Sequence, residues 1–167
     1  MKPNYLTILI TTLCIFFNAC HNSNTAPQLQ LADSLIDKRA DSALCILEKL
    51  SIEEISNKSA KAMYALLLTE ALDKNFKSHR NDSLILIAVD YYKDNSNNKL
   101  KTKAYYYLGR VYQDNKEYIK ATEAYLTALK TASPNQAPIL QIYNNLALCY
   151  ESQEFYLPAI KTYKESK

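Results

Sequence analysis

The chain has 167 residues, 48% hydrophobic and 22% charged, a composition that folds and that fits one domain with or without an export segment. One glycine, Gly109, excludes Gly-rich phosphate cradles and argues against sheet-rich folds, while two histidines and no tryptophan leave histidine-based catalysis little to draw on. Twenty positive and 17 negative side chains are interspersed for a net charge of +3, too mild for a nucleic-acid-binding face, and they read as a solvated mixed surface.

Lys2 opens a short positive region, and Leu6 to Phe17 is apolar apart from three threonines. Twelve residues are too few to span a bilayer, which takes about 20. A positive start, a short apolar run and a small residue after it read as a secretory signal over 1–19. The run ends in Phe17-Asn18-Ala19-Cys20, which resembles a bacterial lipobox, although Phe17 and Asn18 depart from its commonest form. The resemblance implies cleavage after Ala19, acylation of Cys20 and a polar tether over 20–27. An ordinary signal peptide with an incidental cysteine is the other reading. No acidic run follows Cys20, so the expected address is the bacterial cell envelope, lipid-anchored and facing the periplasm from the outer membrane. Cys45 and Cys149 lie inside helical apolar patterns and read as buried thiols, with a disulfide between them open. Neither has a Cys or His at ligand spacing, so no metal is expected.

From Gln28 onward apolar residues recur at three and four positions, the period of amphipathic helices. Gln28–Leu50 and Ser59–Tyr92 read as two degenerate hairpins within 28–101, or as a divergent helical cap that is not repeat-like. Asp41-Ser42 and Asp82-Ser83 are expected to cap helix starts, and Tyr64 precedes Tyr105 by the same offset that separates the two Asp-Ser pairs.

The clearest pattern spans 102–135: Tyr105, Leu108, Gly109 and Tyr112, a polar break at Asp114-Asn115, then Tyr118, Ala121, Tyr125, Ala128 and Leu129. Small Gly109 and Ala121 are expected to let the paired helices approach. Position by position this stretch resembles a tetratricopeptide (TPR) repeat, a helix–turn–helix unit with a period of about 34 residues. A second copy over 136–167 places Tyr143, Leu146, Ala147, Tyr150, Tyr156, Ala159 and Tyr163 at the same relative positions, with Leu146 answering Leu108 at slightly more than the ideal period. It stops where a further small residue is usual, so it reads as incomplete, with an edge open to self-association. The expected fold is all-α: a right-handed superhelical stack of antiparallel helix hairpins, each covering a face its neighbour cannot bury alone.

Most of the 14 tyrosines occupy repeat-core positions, although Tyr106 and Tyr107 step off that stripe. No carboxylate pair is sequestered, and His79 reads as part of a polar loop, so no enzyme activity and no cofactor are expected. In TPR proteins, first-helix positions facing away from the core line a groove that holds a peptide or helix. Carried over, the resemblance implies Lys103, Tyr106, Arg110, Gln113 and Asp114, then Asn144, Leu148, Glu151 and Ser152. Tyr106 and Arg110 replace the lysine and asparagine with which some members clamp a peptide carboxylate. The implied function is a membrane-anchored scaffold for an unidentified protein or peptide. The stretch from Asp82 through Leu129 also resembles the N-terminal part of bacterial TPR-containing regulators, which implies the alternative of a sensory portion of such a protein.

Overall fold

The computed structural model describes residues 25–79, 81–133 and 138–165. The signal and Cys20 expectations, and the linker 134–137, lie outside them. Among the described residues the structure is all helix: α1 (Ala26–Leu35), α2 (Ala40–Leu47), α3 (Lys58–Lys74), α4 (Ser83–Tyr92), α5 (Asn98–Asp114), α6 (Tyr118–Thr131), α7 (Ile139–Ser152) and α8 (Tyr156–Glu165). None of these helices is long and apolar enough to cross a membrane.

Successive helices pair as hairpins, α1–α2, α3–α4, α5–α6 and α7–α8, and each second helix also packs on the next first helix. The first helices touch one another in series, α1 on α3, α3 on α5 and α5 on α7. That connectivity makes a layered stack in which each hairpin is covered by its neighbours.

Three of the inter-helix turns are built alike. Phe76, Lys116 and Glu154 take left-handed φ of 55°, 62° and 62° just past α3, α5 and α7. The next residue's N–H reaches back to a carbonyl in the last turn: Lys77 to Leu72 (3.0 Å), Glu117 to Tyr112 (2.8 Å) and Phe155 to Tyr150 (2.8 Å). This closure is the Schellman ending, made here without glycine. It also fixes the internal register, in which Leu72, Tyr112 and Tyr150 are equivalent. Tyr105 therefore corresponds to Ala65, and the expected correspondence with Tyr64 is out of register by a single position.

The Asp-Ser caps do not form. Arg39 precedes α2, so Asp41 and Ser42 lie inside its first turn, with no side-chain cap bond. At α4, Asn81 Oδ1 accepts from the Ser83 N–H at 3.1 Å, and Asp82 instead accepts from the Tyr112 hydroxyl at 3.0 Å. The side chains that do cap are Asn57, accepting from Ala60 N–H at 3.1 Å, and Asn97, accepting from Leu100 N–H at 3.2 Å. Both start the two longest helices, α3 and α5.

The core has two clusters. One holds α1, α2 and part of α3, around Ala32, Leu47 and Leu67; the other runs from Leu66 and Ile85 through Val111 and Tyr125 to Ile142 and Cys149. α3 feeds both, which is why it is buried nearly all round. Each fully buried leucine or isoleucine contributes about 1.5–3 kcal/mol relative to exposure.

Of the repeat-core positions, Leu108, Gly109, Ala121, Tyr125, Ala128, Leu146, Ala147 and Ala159 are buried. Tyr105, Tyr112, Tyr143 and Tyr150 are half-buried at the edge of the core. Gly109 faces the ring of Tyr125: a Cβ there would sit 2.6 Å from Cδ1 and 2.8 Å from Cζ. The small residue thus makes room for an aromatic side chain rather than for bare backbone.

Cys45 is exposed on α2, contrary to its apolar sequence context, because α2 is short and turns Ala43, Leu44 and Leu47 inward. Cys149 is buried, and burial pushes its thiol up to about 11. Both are free thiols. In native protein a thiol reagent at neutral pH should modify Cys45 quickly and Cys149 only on unfolding. Mass spectrometry of the partly labelled chain reads this directly, and equal labelling would contradict the packing of α7.

Candidate protein-binding face

The adjoining first helices form one continuous face, and the residues implied for a groove lie on it. Between α3 and α5 that face is stitched by charge. Glu70, 2% exposed, meets Lys74 at 3.2 Å through Oε1 and Lys103 at 2.5 Å through Oε2. Lys74 continues to Asp37 beyond α1, so one ion ladder crosses three hairpins. The Lys74 hydrogen bond holds the Asp37 carboxyl below its usual range. Burial pulls the Lys74 ammonium down, but its two carboxylate partners outweigh that and raise it.

A second network lies one turn further along. Arg110 Nε donates to Asp73 at 2.8 Å, and its Nη atoms reach Gln113 (3.3 Å) and Asp114 (3.5 Å). Gln113 also accepts from the Tyr125 hydroxyl at 2.7 Å. His79 closes the cluster, with Nδ1 2.8 Å from Asp114 Oδ2 and Nε2 3.2 Å from the Thr69 carbonyl. His79 is 7% exposed, so the polar-loop reading is corrected. The longer connection between Phe76 and Ser83 gives the chain enough slack to fold this ring back onto α3 and α5. Donor atoms of Asp73, His79 and Asp114 all lie within 4.8 Å of one another, the spacing of a metal-ligand set. Arg110 already engages both carboxylates, and its fixed positive charge makes the cluster a salt-bridge network rather than a cation site.

Tyr106 is corrected as well. It is 7% exposed and packs edge-on to Tyr107 within the core, and Asn145 donates to its hydroxyl at 3.4 Å. The implied groove residues of α5 thus meet in one place, but as the bonded seam between hairpins. On α7 their equivalents Asn144, Leu148, Glu151 and Ser152 are exposed. The face is closed by ion pairs from α1 to α5 and open along α7.

Burial raises the phenols of Tyr92 and Tyr106 to about 12 each. An unfolded tyrosine titrates near 10. The stabilising contribution is therefore complete below about pH 10 and is lost as pH rises toward 12, where the folded phenols ionise. Urea unfolding repeated at rising pH should show a midpoint that drops steeply above about pH 10.

Glu70 and His79 escaped the sequence reading. Glu70 sits at the register position of Arg110 and Leu148, and that register becomes visible only with the turn geometry.

No protein-family model matches the chain, and no curated protein matches it. Among solved structures, two crystal structures of MamA are similar in fold. One has a TM-score of 0.62 at 22% identity, covering 87% of this chain and 78% of that one. The other has a TM-score of 0.61 at 22% identity, covering 86% and 71%. The chain accordingly has a TPR-like, all-helical solenoid fold.

Proposed function

We propose that the protein is a lipid-anchored, non-enzymatic TPR-like scaffold of the bacterial cell envelope. In this reading Cys20 carries the acyl anchor, and the helix stack holds a peptide or helix of another protein. The observation that carries it is the contrast along the first-helix face. Lys103 and Arg110 are spent on Glu70 and Asp73, whereas Asn144, Leu148 and Glu151 on α7 are presented unburied. Amide, apolar and acidic groups side by side suit an extended peptide or a helix. A portion of a larger regulator, the alternative, keeps the same face and differs in what the chain is joined to; the resemblance from Asp82 through Leu129 supports it.

Two measurements test this. Cells fed an alkyne-tagged fatty acid should label the wild-type chain and leave Cys20→Ser unlabelled; label on both would remove the anchor. A photo-crosslinking residue at Asn144 should capture a foreign polypeptide from envelope membranes, whereas one at Cys45 on α2 should not. Equal adducts at both positions, or none at Asn144, would remove the α7 face from the account.

A further inference from the structure

Because the helices alternate in direction, the starts of α1, α3 and α5 share one edge of the stack with the ends of α4 and α6. The hairpin turns form the other edge. Three contacts fix this arrangement. Thr25, Ala26 and Leu29 wall a common cavity with Asn57, Ser59 and Ala60 at the start of α3. Lys58 and Lys61 wall another with Ile87, Asp90 and Tyr91 near the end of α4. Thr102 Oγ1 lies 2.9 Å from Thr131 Oγ1, tying the start of α5 to the end of α6.

The first of these edges gathers lysines that no carboxylate takes up. Lys58 and Lys61 on α3, Lys99 and Lys101 on α5 and Lys130 on α6 are in no ion pair within the described residues. The acids of the same edge are Asp90 and Asp94 at the end of α4, and Glu53 and Glu54 in the connection before α3. Asp90 is held by Lys93 at 3.0 Å, and Glu53 takes the Ser51 hydroxyl. Lys61 acts on Glu53, and Lys99 on Asp37, only from a distance. Glu48 and Lys49 at the end of α2 cancel, as do Lys164 and Glu165 at the end of α8, so lysines outnumber carboxylates here. At the turn edge cations are instead absorbed. Lys74, Lys77, Arg110 and Lys120 each meet a carboxylate, and Lys38 and Arg39 stand between Asp37 and Asp41.

The lysines do not serve their own helices. Neither α3 nor α5 has an acid in its first turn, both caps are neutral asparagines, and a cation at a helix start is opposed by the backbone dipole. Ile87, 37% exposed, and the half-buried Tyr91 add an apolar and amphipathic floor beside Lys58 and Lys61.

We propose that this edge rests on the anionic headgroups of the membrane that holds the anchor, with the hairpin turns pointing away. The inference builds on the acylated Cys20 of the scaffold reading. Cys20 precedes Thr25 by five residues, which reach about 18 Å when fully extended, and Thr25 sits on this same edge. Lysines held near an anionic surface add to a lipid chain as a second attachment signal. The first-helix face then stands upright from the bilayer, open to a partner from the side.

The test uses the full chain purified from membranes, with Cys45→Ser so that one introduced thiol carries a fluorophore. Asn98→Cys and Asn115→Cys place it at opposite ends of α5, about 25 Å apart. Each is reconstituted into vesicles containing a headgroup-attached quencher. With phosphatidylglycerol present, the label at 98 should be quenched several-fold more than the label at 115. The contrast should vanish in phosphatidylcholine vesicles, in high salt, and on Lys58→Glu, Lys61→Glu, Lys99→Glu and Lys101→Glu together. Those changes suit the helix starts, so circular dichroism should show the variant folded. Equal quenching at both positions in phosphatidylglycerol vesicles overturns the inference, as does a contrast that survives in phosphatidylcholine or in the charge-reversed variant. Sodium phosphate that removes the contrast where chloride of equal ionic strength does not would assign the lysines to a free anion, and overturns it too. Mass spectrometry of the same preparation separates the two readings. A chain without lipid on Cys20 fails the anchor and this inference together, whereas a lipidated chain with equal quenching fails this inference alone.

Discussion

Gly109→Leu should lower the melting midpoint by on the order of 10 °C, corresponding to a loss of about 3 kcal/mol or more. Leaving glycine behind in a helix interior favours the substitution by about 1 kcal/mol. Packing overrules that gain. The first added carbon already lies 2.6 Å from Tyr125 Cδ1, and leucine adds three more. The ring has nowhere to retreat: Tyr125 is fully buried, and its hydroxyl is tied to Gln113 at 2.7 Å. The damage should spread, because Gln113 also receives Arg110, which joins α5 to Asp73 on α3. Gly109→Ala should cost less, as the propensity gain offsets part of a smaller clash. Combining Gly109→Leu with Tyr125→Ala should recover part of the loss, since the two changes share one space. A differential scan in which Gly109→Leu melts with the parent would show that the α5–α6 pair is not packed as described.

Glu70→Ala is the second large effect, expected at about 2–3 kcal/mol. Breaking a buried ion pair by removing one partner typically costs about 3–5 kcal/mol, because a charge is left uncompensated. The value is discounted because the side chains of Lys74 and Lys103 remain 31% and 21% exposed and can recruit water. Asp37 keeps Lys74 partly neutralised, so Lys103 and the buried Tyr107 hydroxyl, which also bonds Glu70, are the groups left stranded. Replacing both ends, Glu70→Leu with Lys103→Met, should return most of the stability, as apolar pairs often substitute for buried ion pairs without loss. Chemical denaturation of the single and double variants measures both. A single variant as stable as the parent, or a double variant worse than the single, would show that the ladder is not what joins the second and third hairpins.

Most helices were legible from spacing because they keep one apolar stripe, α3 being the exception that is buried nearly all round, and the Gly109 and Tyr125 positions were legible because the repeat pattern fixes large and small residues together. The charged seam was not. Lys103 and Arg110 look in sequence like solvent-facing cations; only the pairing of α5 with α3 puts Glu70 and Asp73 opposite them. Tyr106 was misplaced for a related reason. A position that faces solvent in an isolated hairpin is covered here once α7 brings Asn145 over it. His79 was hidden because its burial depends on a loop doubling back, which no periodicity records. Cys45 erred in the other direction: apolar neighbours in sequence do not bury a residue on the outer side of a short helix.

The sharing of α3 between the two core clusters has a mechanical consequence. Leu66 serves one cluster and Leu67, its immediate neighbour, serves the other. A rotation of that helix large enough to free either side chain would unseat both, so the two clusters are expected to lose their packing together, as one calorimetric transition rather than two.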